Sequence, residues 1–124
     1  MTDGGAKEPL VSELRLNPHK SELSVTFTDG TTGKLSAEFL RVVSPSAEVQ
    51  GHSPSERKLV PGKRDVTIRG IEPVGNYAVR LVFSDGHNTG LYSWAYLHDI
   101  TRRKEVMWQG YLEELAAAGA SRDR

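Results

Sequence analysis

Residues 22–40 read ELSVTFTDGTTGKLSAEFL, and residues 77–96 read YAVRLVFSDGHNTGLYSWAY. At a spacing of 56 residues, the interval from Asp29 to Asp85, the two stretches share one pattern. Leu23, Val25 and Phe27 alternate with polar residues, as Val79, Leu81 and Phe83 do, and a period of two puts each apolar set on one face of a half-buried strand. Asp29-Gly30 and Asp85-Gly86 then supply turns, because glycine accepts positive φ without steric cost and aspartate bonds its local backbone. Leu35 and Leu91 restart the apolar pattern, and Ser36 and Ser93 stand where a serine hydroxyl can cap a short helix. Six positions that match at one interval predict a structural repeat: two units, each a hairpin followed by a short helix, in an α+β domain.

Between the units, SPSAEVQGHSPSERKLVPGKRD (44–65) is rich in Ser, Pro, Gly and charge and is expected to be mostly loop. DVTIRGIEPVG follows, with Val66, Ile68 and Ile71 marking an additional strand. The C-terminal TRRKEVMWQGYLEELAAAG (101–119) predicts a helix with Trp108, Tyr111, Leu112 and Leu115 near one face and Gly119 ending it in a left-handed conformation. Gly110 interrupts that pattern in its middle. Residues 1–11 and 119–124 carry little to bury and are expected to be mobile, which leaves one domain over 12–118.

A chain of 124 residues supports one modest core. Lys+Arg and Asp+Glu both total 16, so no global field steers the protein to nucleic acid or to an anionic membrane surface. There is no cysteine, hence no disulfide, no thiolate ligand and no thiol nucleophile. MTDGGAKEPLVSEL lacks the apolar core of a signal peptide and no run reaches the length of a membrane span, so a soluble, cytoplasmic protein is expected.

The four histidines are the only neutral nitrogen ligands available. His87 follows the second Asp-Gly turn where the first unit has Thr31, so the turn itself does not demand a histidine. His52 lies in the central loop, His19 in the early NPHK turn, and His98 adjoins Asp99, but adjacent side chains diverge on a helix or strand. No Gly-x-Ser-x-Gly elbow occurs, and TTGKLS lacks the spacing of a phosphate-cradling loop. Arg57, Lys58, Lys63 and Arg64, with Arg69 beyond them, form the densest basic region. Without interleaved aromatics it does not make a platform for stacking single-stranded bases. Tyr92, Trp94 and Tyr96 cluster in the second unit, and any exposed part of that cluster would suit a protein partner.

FLRVVSPSAEVQGH (39–52), VPGKRDVTIRGIEPVGNYAVRLVFSDGH (60–87) and YSWAYL (92–97) together resemble the gamma-butyrobetaine hydroxylase-like N-terminal domain family, over roughly residues 12 to 118. In the hydroxylases that name the family, this domain precedes an iron and 2-oxoglutarate dependent catalytic domain, of which these residues carry none. Related domains are fused to P-loop scaffold proteins of iron-sulfur assembly or stand alone in bacteria, and the chain is similar to the stand-alone type. The hydroxylase version holds structural zinc with three cysteines, in a Cys-x-Cys-x-x-Cys cluster after a Leu-Arg pair, and a histidine after the second acidic turn. Carried over from Leu40-Arg41, those positions fall on Ser44, Ser46, Val49 and His87. A serine hydroxyl stays protonated near neutral pH and valine has no donor, so the resemblance implies that the zinc site is lost and that turn chemistry at Ser44, Pro45 and Ser46 holds the loop.

The expectation is a non-catalytic accessory or interaction module without a cofactor. Its unidentified protein partner would be met by Arg57, Lys58, Lys63, Arg64 and Trp94, and a homodimer is compatible with the same surface. The alternative is a protein binding iron or zinc through His87 with His52, His98, Asp99 or Asp85.

Overall fold

Leu23, Val25 and Phe27 are each at most 2% exposed, and Val79, Leu81 and Phe83 at most 3%, so the period-two reading places both apolar sets in the interior. The computed structural model describes residues 9–124. Strands β1 (Val11–Leu16), β2 (Glu22–Phe27) and β3 (Thr32–Ser36) form one antiparallel sheet in that order. Strands β4 (Ile68–Val74), β5 (Ala78–Phe83) and β6 (Leu91–Ser93) form a second in the same order. Helices α1 (Ala37–Val42), α2 (Ala47–Gln50), α3 (Trp94–Arg102) and α4 (Lys104–Ala117) complete an α+β fold. One apolar cluster joins both sheets to α1, α3 and α4 through Leu35, Leu40, Ile68, Tyr92, Leu97, Ile100 and Leu115. Each such side chain contributes on the order of 1.5–3 kcal/mol by leaving water.

The repeat is real down to its hydrogen bonds. Gly30 and Gly86 have φ of 89° and 93°, and the Asp29 and Asp85 carboxylates accept from the backbone N–H two residues on. Ser36 caps α1 by accepting from Phe39 N–H, and Ser93 caps α3 by accepting from Tyr96 N–H. On the return strands the interval changes. Leu23 pairs with Leu35, but Val79 pairs with Tyr92, so the counterpart of Leu35 is Tyr92 and not Leu91. Burial agrees: Leu35 and Tyr92 are fully buried while Leu91 is 50% exposed. The second unit therefore has one residue more in its loop, at Asn88-Thr89, and the true correspondence after it is GKLS (33–36) with GLYS (90–93).

Each unit leans on the other. Gly33 lies against Thr101 of α3, where a Cβ would come within 2.5 Å of the Thr101 methyl, and Gly90 lies against Ser44, where a Cβ would come within 2.4 Å of Oγ. Arg41 of α1 donates to Asp85 in the second turn, and His98 of α3 is hydrogen-bonded to Asp29 in the first. These contacts are reciprocal, as in a two-fold dimer.

Four features differ from the sequence reading. Strand β1 is an edge strand whose pairing slips between Val11 and Glu13, which breaks the alternation that would have marked it. The expected C-terminal helix forms as α4, with Gly119 at φ 67° beyond its end, but it begins only at Lys104, since Thr101 and Arg102 belong to the end of α3. The central segment contains the one-turn helix α2, capped by Ser46, and a 3-10 turn at Pro54–Glu56. Residues 121–124, expected to be mobile, are fastened. Gly62 and Arg64 N–H donate to the Ser121 and Arg122 carbonyls, and Arg122 forms a bidentate pair with buried Glu38 while lying over the Trp108 ring. The mobility expected for 1–11 falls mainly on residues outside the described ones, and Leu10 N–H bonds to Thr28 Oγ1.

Candidate functional site

The loop after α1 brings Ser44 and Ser46 against His87 and Thr89, which follow the second Asp-Gly turn, and Val49 is buried on α2. His87 is the pivot. Its Nε2 is 2.8 Å from Ser44 Oγ, and its Nδ1 is 3.1 Å from Glu48 Oε1. The Glu48 carboxylate can only accept, and Ser44 Oγ already accepts from Ser46 N–H. A neutral imidazole with its proton on Nδ1 toward Glu48 and Nε2 accepting from the Ser44 hydroxyl satisfies this geometry. Burial, reinforced by the Arg41 charge, lowers the His87 pKa below its ordinary value, in keeping with that state. The Ser46 and Thr89 hydroxyls are hydrogen-bonded at 2.6 Å, and Gln50 Nε2 donates to the Ser44 carbonyl at 2.8 Å. Thr89 belongs to the pair where the second loop has its additional residue.

Behind this cluster Asp85 gathers three donors: Arg41 Nε at 2.8 Å, Lys63 Nζ at 2.7 Å and His87 N–H at 3.1 Å. Burial acts to raise the Asp85 carboxyl, but the donors from Lys63, His87 and Arg41 outweigh it and hold the group far below the usual carboxylate range. Lys63, expected at a partner surface, is thus half-buried and tied to Asp85.

In outline, Glu48, His87 and Ser44 form a line of acid, imidazole and hydroxyl, the connectivity that activates a nucleophile. Ser44, however, is fully buried, and its Oγ lies against Gly90 and away from solvent. Zinc does not fit these residues either. The Val49 side chain is buried without a donor, and the Ser44 hydroxyl is bonded to the ring nitrogen that faces the loop. Of the other side chains named for a metal, Asp85 lies beside His87 but is engaged by Arg41 and Lys63, His98 goes to Asp29, Asp99 pairs with Arg103, and exposed His52 lies in the central loop beside the Pro54–Glu56 turn. Among the described residues, no group of three or more His, Asp or Glu side chains is placed to hold a metal ion.

The expected partner surface is also dispersed. Arg57 pairs with Glu114 on α4, Arg64 pairs with Asp123, and Lys58 is exposed. Trp94 is half-buried with its indole N–H donating to the Asn76 carbonyl. Tyr92 is fully buried and its hydroxyl donates to the Leu40 carbonyl at 2.5 Å, while the Tyr96 hydroxyl donates to Val43.

A cleft of about 500 Å³ opens on the far side of Pro45, between the loop after α1, Gln50, Tyr96 and the face of α4 that carries Met107 and Gly110. Arg57, Arg103 and Glu114 border it. Of the expected partner residues, only Arg57 lines this cleft. Glu48, Gln50, Thr89 and the cleft itself escape sequence reading. Two signals were present: Ser46 two residues before Glu48 as a helix cap, and Gly110 inside a helical pattern.

The family model described as gamma-butyrobetaine hydroxylase-like, N-terminal, matches residues 14–98, and the chain belongs to that family. Two proteins with NMR solution structures are similar to it. One is 47% identical with a TM-score of 0.80, the match covering 98% of this chain and 91% of that one; the other is 45% identical with a TM-score of 0.81, covering 94% and 92%. A crystal structure of a protein of unknown function from Acidithiobacillus ferrooxidans ATCC 23270, assigned to the DUF971 family, is 40% identical with a TM-score of 0.60, covering 75% of this chain and 91% of that one. No curated protein matches the chain. No helix among the described residues is long and apolar enough to cross a membrane.

Proposed function

We propose that the chain is a small non-catalytic accessory module that acts by binding a protein partner. The supporting observation is the closure of the His87 cluster. The hydroxyl and imidazole at the family's ligand positions are buried and bonded to each other, an arrangement suited to holding a loop rather than turning over a substrate. That loop supplies Pro45 and Gln50 to the wall of the neighbouring cleft, so the cluster acts as a brace for a binding surface. The test is affinity capture of the tagged chain under native conditions, followed by mixing of the purified pair. A stoichiometric partner whose stability or activity changes on mixing is the expected result. Substrate turnover by the chain alone, abolished in His87→Asn, would overturn the reading.

A further inference from the structure

We infer that the cleft along α4 docks an extended peptide segment of a protein partner, apolar in its middle and acidic at both ends. The inference rests on the interaction-module reading above and gives it a place and a chemistry. Arg103 at the N-cap of α4 and Met107, Gly110 and Glu114 within it recur at intervals of four, three and four residues, which puts the three helical ones on one face below the cap, and all four line the cleft. Gly110 is the telling position. Glycine weakens a helix interior relative to alanine, yet a Cβ built there meets nothing within 4 Å, so the packing of the described residues does not require it. Its effect is to leave bare helix backbone at the middle of the cleft, open to close approach by another chain.

The opposite wall is apolar, formed by Val42, Val43 and Pro45. It is held by the hydroxyl of Tyr96 on the Val43 carbonyl and by the His87 cluster behind Pro45. From Arg103 to Glu114, eleven residues at 1.5 Å each give a cleft length of about 16 Å, which an extended chain covers in about five residues. Guanidinium groups stand at both ends: Arg103 at one, Arg57 beside Glu114 at the other. Both pair internally, with Asp99 and Glu114, but all four side chains are 42–55% exposed, and pairs that open to water exchange partners at little cost. Two guanidiniums border the cleft against one carboxylate, and exposed Lys58 next to Arg57 has no ion pair among the described residues. This charge pattern complements carboxylates, which arginine engages through two parallel hydrogen bonds.

The probe is a phage-displayed library of random dodecapeptides selected on the purified chain, with winning peptides resynthesised, fluorescein-labelled and titrated by anisotropy. Enrichment of apolar residues flanked by two acidic ones, with binding weakened at least tenfold by Gly110→Leu and by the Arg57→Glu, Arg103→Glu double variant, is the expected outcome. Leucine is a better helix former than glycine, so Gly110→Leu should keep or raise the melting temperature. If it does not fold, the double variant at exposed positions decides alone. Peptides without acidic flanks, or peptides indifferent to every foldable variant, would overturn the proposal. So would a homodimer in sedimentation that Gly110→Leu dissociates, since the occupant would then be a second copy. A partner captured from lysate that binds Gly110→Leu unchanged defeats the cleft alone, whereas failure to capture any partner defeats the module reading itself.

Discussion

Arg41 reaches from α1 to Asp85 in the turn of the other unit, with Nε 2.8 Å from Oδ2, and its counterpart on α3, His98, meets Asp29 at 2.9 Å. The two contacts occupy matching places but differ in weight. Arg41 is only 12% exposed in its side chain, and its Nη1 is buried without a hydrogen-bond partner among the described residues, so it relies on Asp85 for compensation. Removing the carboxylate from a largely buried pair strands a charge. Asp85→Ala is expected to cost about 2 kcal/mol, discounted from fully buried pairs because Lys63 and Asp85 keep some contact with water. Asp29→Ala should cost much less. Urea midpoints at constant m-value compare the two.

The pH profile should carry the signature of His87. Because burial and Arg41 lower its pKa, the folded protein refuses a proton that the unfolded chain accepts. The stability this group supports is therefore complete above about pH 6.5, falls as pH drops below that value, and levels off beneath the folded-state pKa. Asp85 adds a separate limb. Its carboxyl is held far below the unfolded value, so its contribution persists above about pH 4 and is lost below it. His87→Asn should flatten the near-neutral limb and leave the acid one, and Asp85→Asn should do the reverse. Urea unfolding from about pH 3 to 8 reads both.

Three glycines should respond to alanine with different signs. At Gly90 the new methyl would meet Ser44 Oγ, which is fixed by His87, and the Tyr92 ring, so overpacking of about 2 kcal/mol is expected. At Gly33 the obstacle is the end of the Thr101 side chain, and the loss should be smaller. At Gly110 open space awaits the methyl, and the helix should gain up to about 1 kcal/mol. Thermal melts of the three variants check the order.

Zinc should follow the loop chemistry. Wild-type protein purified with zinc present is expected to carry well under one equivalent, because Ser44 and Val49 offer no anionic donor. The Ser44→Cys, Ser46→Cys, Val49→Cys triple variant restores three thiolates beside His87 and should bind about one zinc per chain. Metal analysis decides. A full equivalent in the wild type, lost on Ser44→Ala with His87→Ala, would contradict the expectation.

Much of the fold was legible because local chemistry and burial agree in the repeat: alternating Leu23, Val25 and Phe27, the two Asp-Gly turns, and the caps at Ser36 and Ser93. The shifted register was not, because Leu91 is as apolar as Leu35, and only strand pairing reveals that Tyr92 takes the inward place. Basic loop residues read as a patch became separate anchors, since Lys63 and Arg64 find carboxylates distant in sequence at Asp85 and Asp123. His87 and Ser44 could be paired through the family pattern. The cleft could not, as its walls come from segments brought together only by folding, although Gly110 was a visible irregularity.

The reciprocal contacts bear on ancestry as well as stability. A peptide holding one hairpin and one helix would have its cation and its turn carboxylate facing a second copy, and two copies could satisfy each other as a symmetric pair. Joined in one chain, the halves are free to differ. One has a plain Thr31 beside its turn, while the other has an extra residue and His87, and with them the brace that shapes a single asymmetric face.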